Sequence, residues 1–392
     1  MSDKPYTLLL KNGHVIDPAN GRDGPADVAI AGDRIARVGP ADAIAPEDAD
    51  KSVDAAGCYV TPGLLDIHVH YFDGCGRLGV HPDFNAFPSG VTTALDVGTA
   101  GWRNFEQFRL HIIDNPRIKC RVLALVNIVS TGMEFPQVEQ DPDEMQPEPT
   151  AAMAKKHADV VIGIKTAHYM KPGWTAVDNT VAAAEIAGML AMFDFAPKPE
   201  RSYEDLLLKK ARAGDFHTHP YARHIPSLDE QGRVNAYVWE ARRRGVKFDL
   251  GHGGGSFWYR LAVPNVEQGN VADTISTDQH QGSVNGPVFD QITTMSKMLC
   301  LGLPLPDVIR RSTSAPAELI GRPSLGRLDE GGEADVALLR LERGRFGYWD
   351  CGRGGMVGDQ RLACLLTVRA GQVVYDREGM SMPDWRTLGP SY

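Results

Sequence analysis

The chain has no CxxC pair and only six cysteines in 392 residues, Cys58, Cys75, Cys120, Cys300, Cys351 and Cys364, scattered without a dense framework. A chain of this size does not depend on disulfide staples, so they read as reduced thiols. There is no basic excess: a formal charge of −9 argues against nucleic acid as a partner, because a phosphate backbone needs a cationic face. The run "RRRG" at Arg242 to Gly245 reads as a solvated helix end. Long apolar runs are missing too. The opening "MSDKPYTLLLKNGHVIDPANG" has only a few apolar residues before turn signals, so neither a signal peptide nor a membrane span is expected, and the expected setting is cytoplasmic. No Gly-rich phosphate fingerprint follows an early strand, which disfavours a doubly wound nucleotide fold.

What is present is alternation. Residues 7–58 read as short strands broken by Gly, Asn-Gly or Asp, and "ADVALLRLE" and "LACLLTVRAGQVVYD" near the other end share that texture. Residues 1–58 and 325–392 are therefore expected to join in one discontinuous β-sandwich. Between them, residues 59–324 carry eight apolar runs: "CYVTPGLLDIHVH", "GVTTALDVG", "CRVLALVNI", "ADVVIGIKT", "GMLAMFDF", "GDFHTH", "GVKFDLGHG" and "ADTISTD". Amphipathic stretches such as "TAVDNTVAAAEIA" separate most of them, which predicts an α/β chain of parallel strands and helical crossovers closing into a (β/α)8 barrel. The acidic, Pro-rich "PQVEQDPDEMQPEPT" (Pro136 to Thr150) is expected as a surface loop after the third strand, over the barrel mouth.

Such barrels build their sites at the C-terminal ends of the strands. Here the first run ends in His68 and His70, the fourth in Lys165, the fifth in Asp194, the sixth in His217 and His219, the seventh in His252 and the eighth in Asp278. Residues i and i+2 share a strand face, so His68 and His70 can grip one ion. Singly, each group has a plainer reading: His252 as a hydrogen-bonded rim residue, Lys165 as a snorkelling amine, Asp278 as a helix cap, Asp194 as a loop carboxylate. Independent structural roles would not place all of them at successive rims of one barrel.

The set resembles the amidohydrolase superfamily of metal-dependent hydrolases. The likeness is carried by "VTPGLLDIHVH", "GVTTALDVGTAG", "GIK", "THP", "DLGHGGGSF", "ISTDQH" and "LGRLDEGGEADVALL", in that order over nearly the whole chain. Within it, "GDFHTHP", "FDLGHGGGSF" and "MSKMLCLGLPLPDVIRRST" are similar to deacetylases acting on N-acetyl or O-acetyl small acids, a dihydroorotase-like subgroup. The resemblance implies His68, His70 and Asp278 on a buried ion. It implies Lys165 as a carbamylated bridge, with His219 and a fifth-strand histidine on a second ion. The fifth strand departs from this: "AMFDF" puts Asp194 where the histidine belongs. Two divalent ions are expected, Zn2+ first and Mn2+ favoured by the added carboxylate, with one ion as the alternative and His217 as a substitute ligand.

The resemblance further implies a metal-activated hydroxide attacking an acyl carbonyl, with Asp278 as general base and then acid. It places His252 near the leaving group. The glycines after His252 are either N–H donors to the reacting carbonyl or merely a tight turn. His168, Tyr169, His217, Tyr221, Arg223, His224 and Ser256 are expected near the substrate, where a cation suits a carboxylate. A cyclic amide or lactone hydrolase of dihydroorotase or hydantoinase type would use the same groups. A non-catalytic scaffold would have lost its ligands. The expected partners are a small-molecule substrate and further copies of the chain, with no nucleic acid and no membrane.

Overall fold

The computed structural model describes residues 4–389. The two ends meet in one hydrogen-bonded sheet of eight strands. These are β1 (Tyr6–Asp17), β2 (Arg22–Ala31), β3 (Arg34–Pro40), β4 (Ala49–Asp54) and β5 (Tyr59–Pro62), with β13 (Val336–Trp349), β14 (Gly355–Arg369) and β15 (Gln372–Asp376). Their order is β15-β14-β13-β5-β1-β2-β3, with β4 beside β1. The antiparallel pairing of Val336–Leu339 with Tyr59–Pro62 joins the ends. Because β5 pairs here, the sheet runs four residues past the boundary expected after residue 58. Alternating apolar residues, among them Leu8, Leu10, Val28, Ile30, Val60, Val336 and Leu338, form its own buried core.

The second sheet is parallel and curled: β6 (Leu64–Val69), β7 (Val91–Gly101), β8 (Arg121–Asn127), β9 (Val161–Thr166), β10 (Leu190–Phe193), β11 (Phe216–Thr218) and β12 (Lys247–Asp249) pair in sequence order. Seven of the eight expected runs are therefore strands. The eighth, 272–278, closes the ring without regular pairing. It bridges β12 at Asp249 and Thr274 and continues to β6 at Val69 and Gln279, both in parallel sense, and Asp278 N–H donates to His68 O at 2.7 Å. Asp66 holds this seam, accepting from Thr277 N–H at 3.0 Å and from its hydroxyl at 2.5 Å. Burial pushes the Asp66 carboxyl up to about 7 against those hydrogen bonds. β6, β7 and β9 are buried along their whole length, as strands covered on both faces must be. Leu65, Ile67, Leu95, Val97, Leu125, Met192 and Phe216 form one cluster with Ala317 and Ile320.

"TAVDNTVAAAEIA" is a helix, Thr175–Ala187, ended by Gly188 at φ 68°, where a left-handed residue stops the helix without a Cβ penalty. Asp290, not Asp278, is a helix cap: its carboxylate accepts from Thr293 N–H. In "RRRG", Arg243 is exposed and pairs with Glu240. Arg242 instead reaches Asn270, Val271 O and Asp273, so that helix end is tied to the chain leading into the eighth barrel segment. The Pro136 to Thr150 stretch holds two 3-10 turns and then the start of a helix, Pro147–Lys156. Among the described residues no helix is long and apolar enough to cross a membrane.

Candidate metal centre

His68, His70, Lys165, Asp194, His219 and Asp278 line one cavity of about 300 Å³ at the C-terminal ends of the strands. Each lies within one residue of the end of its barrel segment, His68 and Lys165 just before it and His70, Asp194 and His219 just beyond. His219 and Asp278 do so with left-handed backbones, φ 65° and 52°, strain that costs about 1–3 kcal/mol each and is characteristic of functional sites.

The three expected ligand histidines are oriented alike. His68 Nδ1 meets Thr218 Oγ1 at 2.9 Å and Asp249 Oδ2 at 3.2 Å. His70 Nδ1 meets Thr99 Oγ1 at 2.8 Å, and that hydroxyl donates to Asp96. His219 Nδ1 donates to Gly251 O at 2.6 Å. Every Nδ1 is taken by the protein, which leaves each Nε2 lone pair for the cavity; partners of this kind fix the tautomer of metal-binding histidines. Gly251 makes room for this packing. A Cβ there would stand 2.2 Å from Thr218 Oγ1 and 2.8 Å from both His68 Nδ1 and His219 Nδ1. A Cβ on Gly253 would lie 2.3 Å from Asp278 Oδ2, and its N–H donates to Thr277 O. These glycines serve close approach, and Gly253 has no N–H left for a substrate.

The donor set fits a divalent cation. Bonds of about 2.0–2.1 Å in a tetrahedral shell place neighbouring ligand atoms roughly 3.3 Å apart. Asp278 Oδ1 lies 3.2 Å from His70 Nε2 and 3.5 Å from His68 Nε2, and Lys165 Nζ lies 3.4 Å from His68 Nε2. His68, His219 and Asp278 each offer an atom within 4.8 Å of the others. On the opposite side, Asp194 Oδ2 lies 3.7 Å from His219 Nε2 and 3.4 Å from His168 Nε2. Burial raises the Asp278 carboxyl, but His68, His70 and His219 outweigh it and hold it far below the usual range. Asp194 is likewise held down against burial by His219 and His168. Burial beside Lys165 lowers His68 to about 4. Both carboxylates are thus ionised and His68 is neutral, the states a cation requires. Burial lowers His219 and His168, but Asp194 outweighs it to raise His219, and Glu139 with Asp194 outweighs it to raise His168 to about 9, so these two would release a proton on binding a cation.

Other expectations are not met, each for a physical reason. His252 does not line the cavity. It is fully buried, its Nδ1 donates to Gly253 O at 2.9 Å, its Nε2 accepts from Lys297 Nζ at 2.7 Å, and it stacks on Phe257. His217 is no substitute ligand: it packs against Tyr203 and Phe248 with Nδ1 on Phe193 O, because the left-handed turn at His219 breaks the two-residue alternation. Tyr169, Tyr221, Arg223 and Ser256 also lie off the cavity lining. Tyr221 donates to Asn270 O, the Tyr169 ring stacks beneath Arg201, and Arg223 lies over Trp258. His168, expected near the substrate, does line the cavity, and the structure also brings Arg77, Met133 and His280 to it. His280 is half-buried and neutral, its pKa lowered by burial. Its Nδ1 accepts from Gly282 N–H at 3.1 Å, which leaves Nε2–H as a donor. It stands two residues after Asp278 in "STDQH", a proximity that could have flagged it.

Lys297 is 1% exposed and also donates to Pro287 O and Trp349 O. Burial lowers its amine to about 7 from 10.5. Protonation is thus favoured in the unfolded chain between those values, and stability from this group rises with pH from about 7 to about 10.5. Relative to Lys297→Met, the wild type should gain on the order of 1 kcal/mol per pH unit across that window. Denaturant unfolding of both at pH 7 and 9 checks this, and an unchanged difference would refute it.

A parallel barrel whose strand ends gather imidazoles and carboxylates around one cavity defines a metal-dependent hydrolase site. No family model matches the chain. A curated deacetylase of Agrobacterium fabrum is 31% identical over 345 residues, covering 85% of this chain and 83% of that protein. Among solved structures, an adenine deaminase superposes with a TM-score of 0.85 and 28% identity, covering 95% of this chain and all of that one (100%). A dihydroorotase superposes with a TM-score of 0.82 and 26% identity, covering 94% and 99%. The chain belongs to the amidohydrolase superfamily, and it is a hydrolase of that superfamily.

Proposed function

We propose that the protein is a metal-dependent deacetylase-like hydrolase that cleaves the acyl bond of an N-acetyl or O-acetyl small acid. The observation that carries this is the convergence of His68, His219 and Asp278 within 4.8 Å over the cavity, together with the deacetylase relative that aligns along most of the chain. His68, His70 and Asp278 would hold the first divalent ion, and His219 and Asp194 the second, with Zn2+ the first choice and Mn2+ next. Lys165 is fully buried and forms no ion pair among the described residues. Carbon dioxide adding to the unprotonated form of this amine, with loss of one proton, would give a carbamate, a further carboxylate donor for a cation. Bound there, a cation supplies a water whose pKa falls from about 15.7 to about 7.

Asp278 would take up a proton during attack on the acyl carbon and return it to the leaving group. Burial is outweighed by His68, His70 and His219, which keep its carboxylate ionised, the form that can take up a proton. His280 Nε2–H can donate to the acyl carbonyl or the departing atom. Arg77, exposed on the cavity wall and without an ion pair among the described residues, suits a substrate carboxylate. Arg77→Ala should raise KM by about 10- to 100-fold, the loss of one charge-assisted hydrogen bond, with a smaller change in kcat. An unchanged KM would remove Arg77 from this role.

Acetate release by the metal-loaded enzyme from a panel of N-acetyl and O-acetyl acids tests the function, beside dihydroorotate, hydantoins and adenine. Turnover of an acetylated acid is expected. Ring opening alone would favour the cyclic-amide reading, and ammonia release from adenine alone would favour deamination. The free cysteines support a reducing, cytoplasmic setting, and we propose a homo-oligomer, testable by sedimentation.

A further inference from the structure

The donors for a second ion are one histidine short of the superfamily resemblance: the residue just after β10, where that histidine belongs, is Asp194. We propose that His168, from the end of the neighbouring strand β9, supplies the missing imidazole, with Glu139 as its orienting carboxylate. This inference rests on the metal-centre reading above and adds a ligand to it.

Three independent observations point to His168. First, its Nε2 lies 3.4 Å from Asp194 Oδ2, the same oxygen that His219 Nε2 approaches at 3.7 Å. These separations are close to the roughly 3.3 Å edge of a tetrahedral shell. Second, His168 repeats the orientation of the other three histidines, with Nδ1 held by an acceptor and Nε2 left for the cavity. Its acceptor is a carboxylate: Glu139 Oε1 and Oε2 lie 3.1 and 3.2 Å from Nδ1. Carboxylate–histidine pairs of this kind orient the ring and strengthen it as a donor. Third, His168 has a left-handed backbone, φ 53°, as His219 and Asp278 do. A non-glycine residue keeps such a conformation only where its surroundings impose it.

An ordinary surface ion pair does not explain Glu139. It is 3% exposed although it belongs to the acidic Pro-rich loop. The next residue locks the arrangement: Gln140 Nε2 donates to His168 O at 2.6 Å, and Gln140 Oε1 accepts from Met170 N–H at 2.8 Å. The loop after β8 is thereby stitched to the loop after β9, and His168 is pinned at the cavity mouth, where its side chain is 45% exposed. His168 reaches the site through Asp194, while His68, His219 and Asp278 already stand together.

The test is metal stoichiometry. Wild type, His168→Ala, Glu139→Gln and Arg223→Ala are loaded with Co2+ or Zn2+, freed of excess ion, and measured by elemental analysis and by the cobalt absorption spectrum. Two equivalents are expected in wild type and Arg223→Ala, and one in His168→Ala, with part of the cobalt spectrum lost. Glu139→Gln should keep both ions but release the second to a chelator about 10–100-fold more readily. Two tightly held equivalents in His168→Ala, or a single equivalent in the wild type, would overturn the assignment and leave the first ion standing. A wild type that holds no metal would overturn the metal-centre reading as well.

Discussion

Asp278→Asn is expected to lower kcat by about 10^2- to 10^4-fold, the range of a lost general acid–base group, while the metal content stays close to that of the wild type. The amide keeps a neutral oxygen toward His68 and His70 but can neither accept the proton of the attacking water nor deliver it to the leaving group. The expected pH profile also separates the roles. The protein holds the Asp278 carboxyl far below the usual range through His68, His70 and His219, so the group is fully ionised in any neutral buffer. The variant should therefore be slow at every pH rather than shifted along the axis. A variant with near-normal turnover and two bound ions would remove Asp278 from proton transfer.

Asp249 carries the second large effect, on stability and metal affinity together. Its carboxylate is fully buried and accepts from Thr274 Oγ1, Ser276 Oγ and Thr218 Oγ1 at 2.7, 2.7 and 3.0 Å, with His68 Nδ1 at 3.2 Å. One side chain on β12 thus ties β11 and the eighth segment to the first ligand histidine. Burial raises its carboxyl, but His68 and the hydroxyls prevail and keep it ionised. Asp249→Ala leaves these buried donors without their acceptor, at a cost of about 1–3 kcal/mol for each one left unsatisfied. The freed His68 ring should also lower metal affinity by about 10–100-fold. Asp249→Asn preserves the volume and part of the bonding, so it should fall between. Denaturant unfolding of the metal-free protein and chelator competition of the loaded protein measure the two effects. Alanine variants indistinguishable from wild type in both would contradict this role.

The barrel and most of its donor set are legible in the sequence because of where strands end. His68, His70, Lys165, Asp194, His219 and Asp278 all close apolar runs, and the strand period carries such residues into the cavity. The same rule misplaces His252 and His217. For His252, the competing partner is Lys297, 45 residues away along the chain, and no local pattern announces that contact. For His217, the period-two argument assumes an unbroken strand, whereas the backbone turns left-handed at His219. Glu139, Arg77 and Met133 come from loops, which have no periodicity to read. Glu139 in particular looks like one more charge in a solvated acidic stretch, yet it is buried against an imidazole. The eighth segment shows the reverse case: its residues are apolar enough to be expected as a strand, but Asp66, Asp249 and the hydroxyls of Thr274, Ser276 and Thr277 take over much of its pairing.

The most direct measurement of the central claim is reversible metal dependence. Protein stripped with a chelator should lose hydrolysis of its acetylated substrate, regain it with Zn2+, Mn2+ or Co2+, and show the ion held by His68, His70 and Asp278 in an anomalous diffraction map. Activity that survives complete stripping, or a cavity without bound ion at saturating metal, would contradict the account.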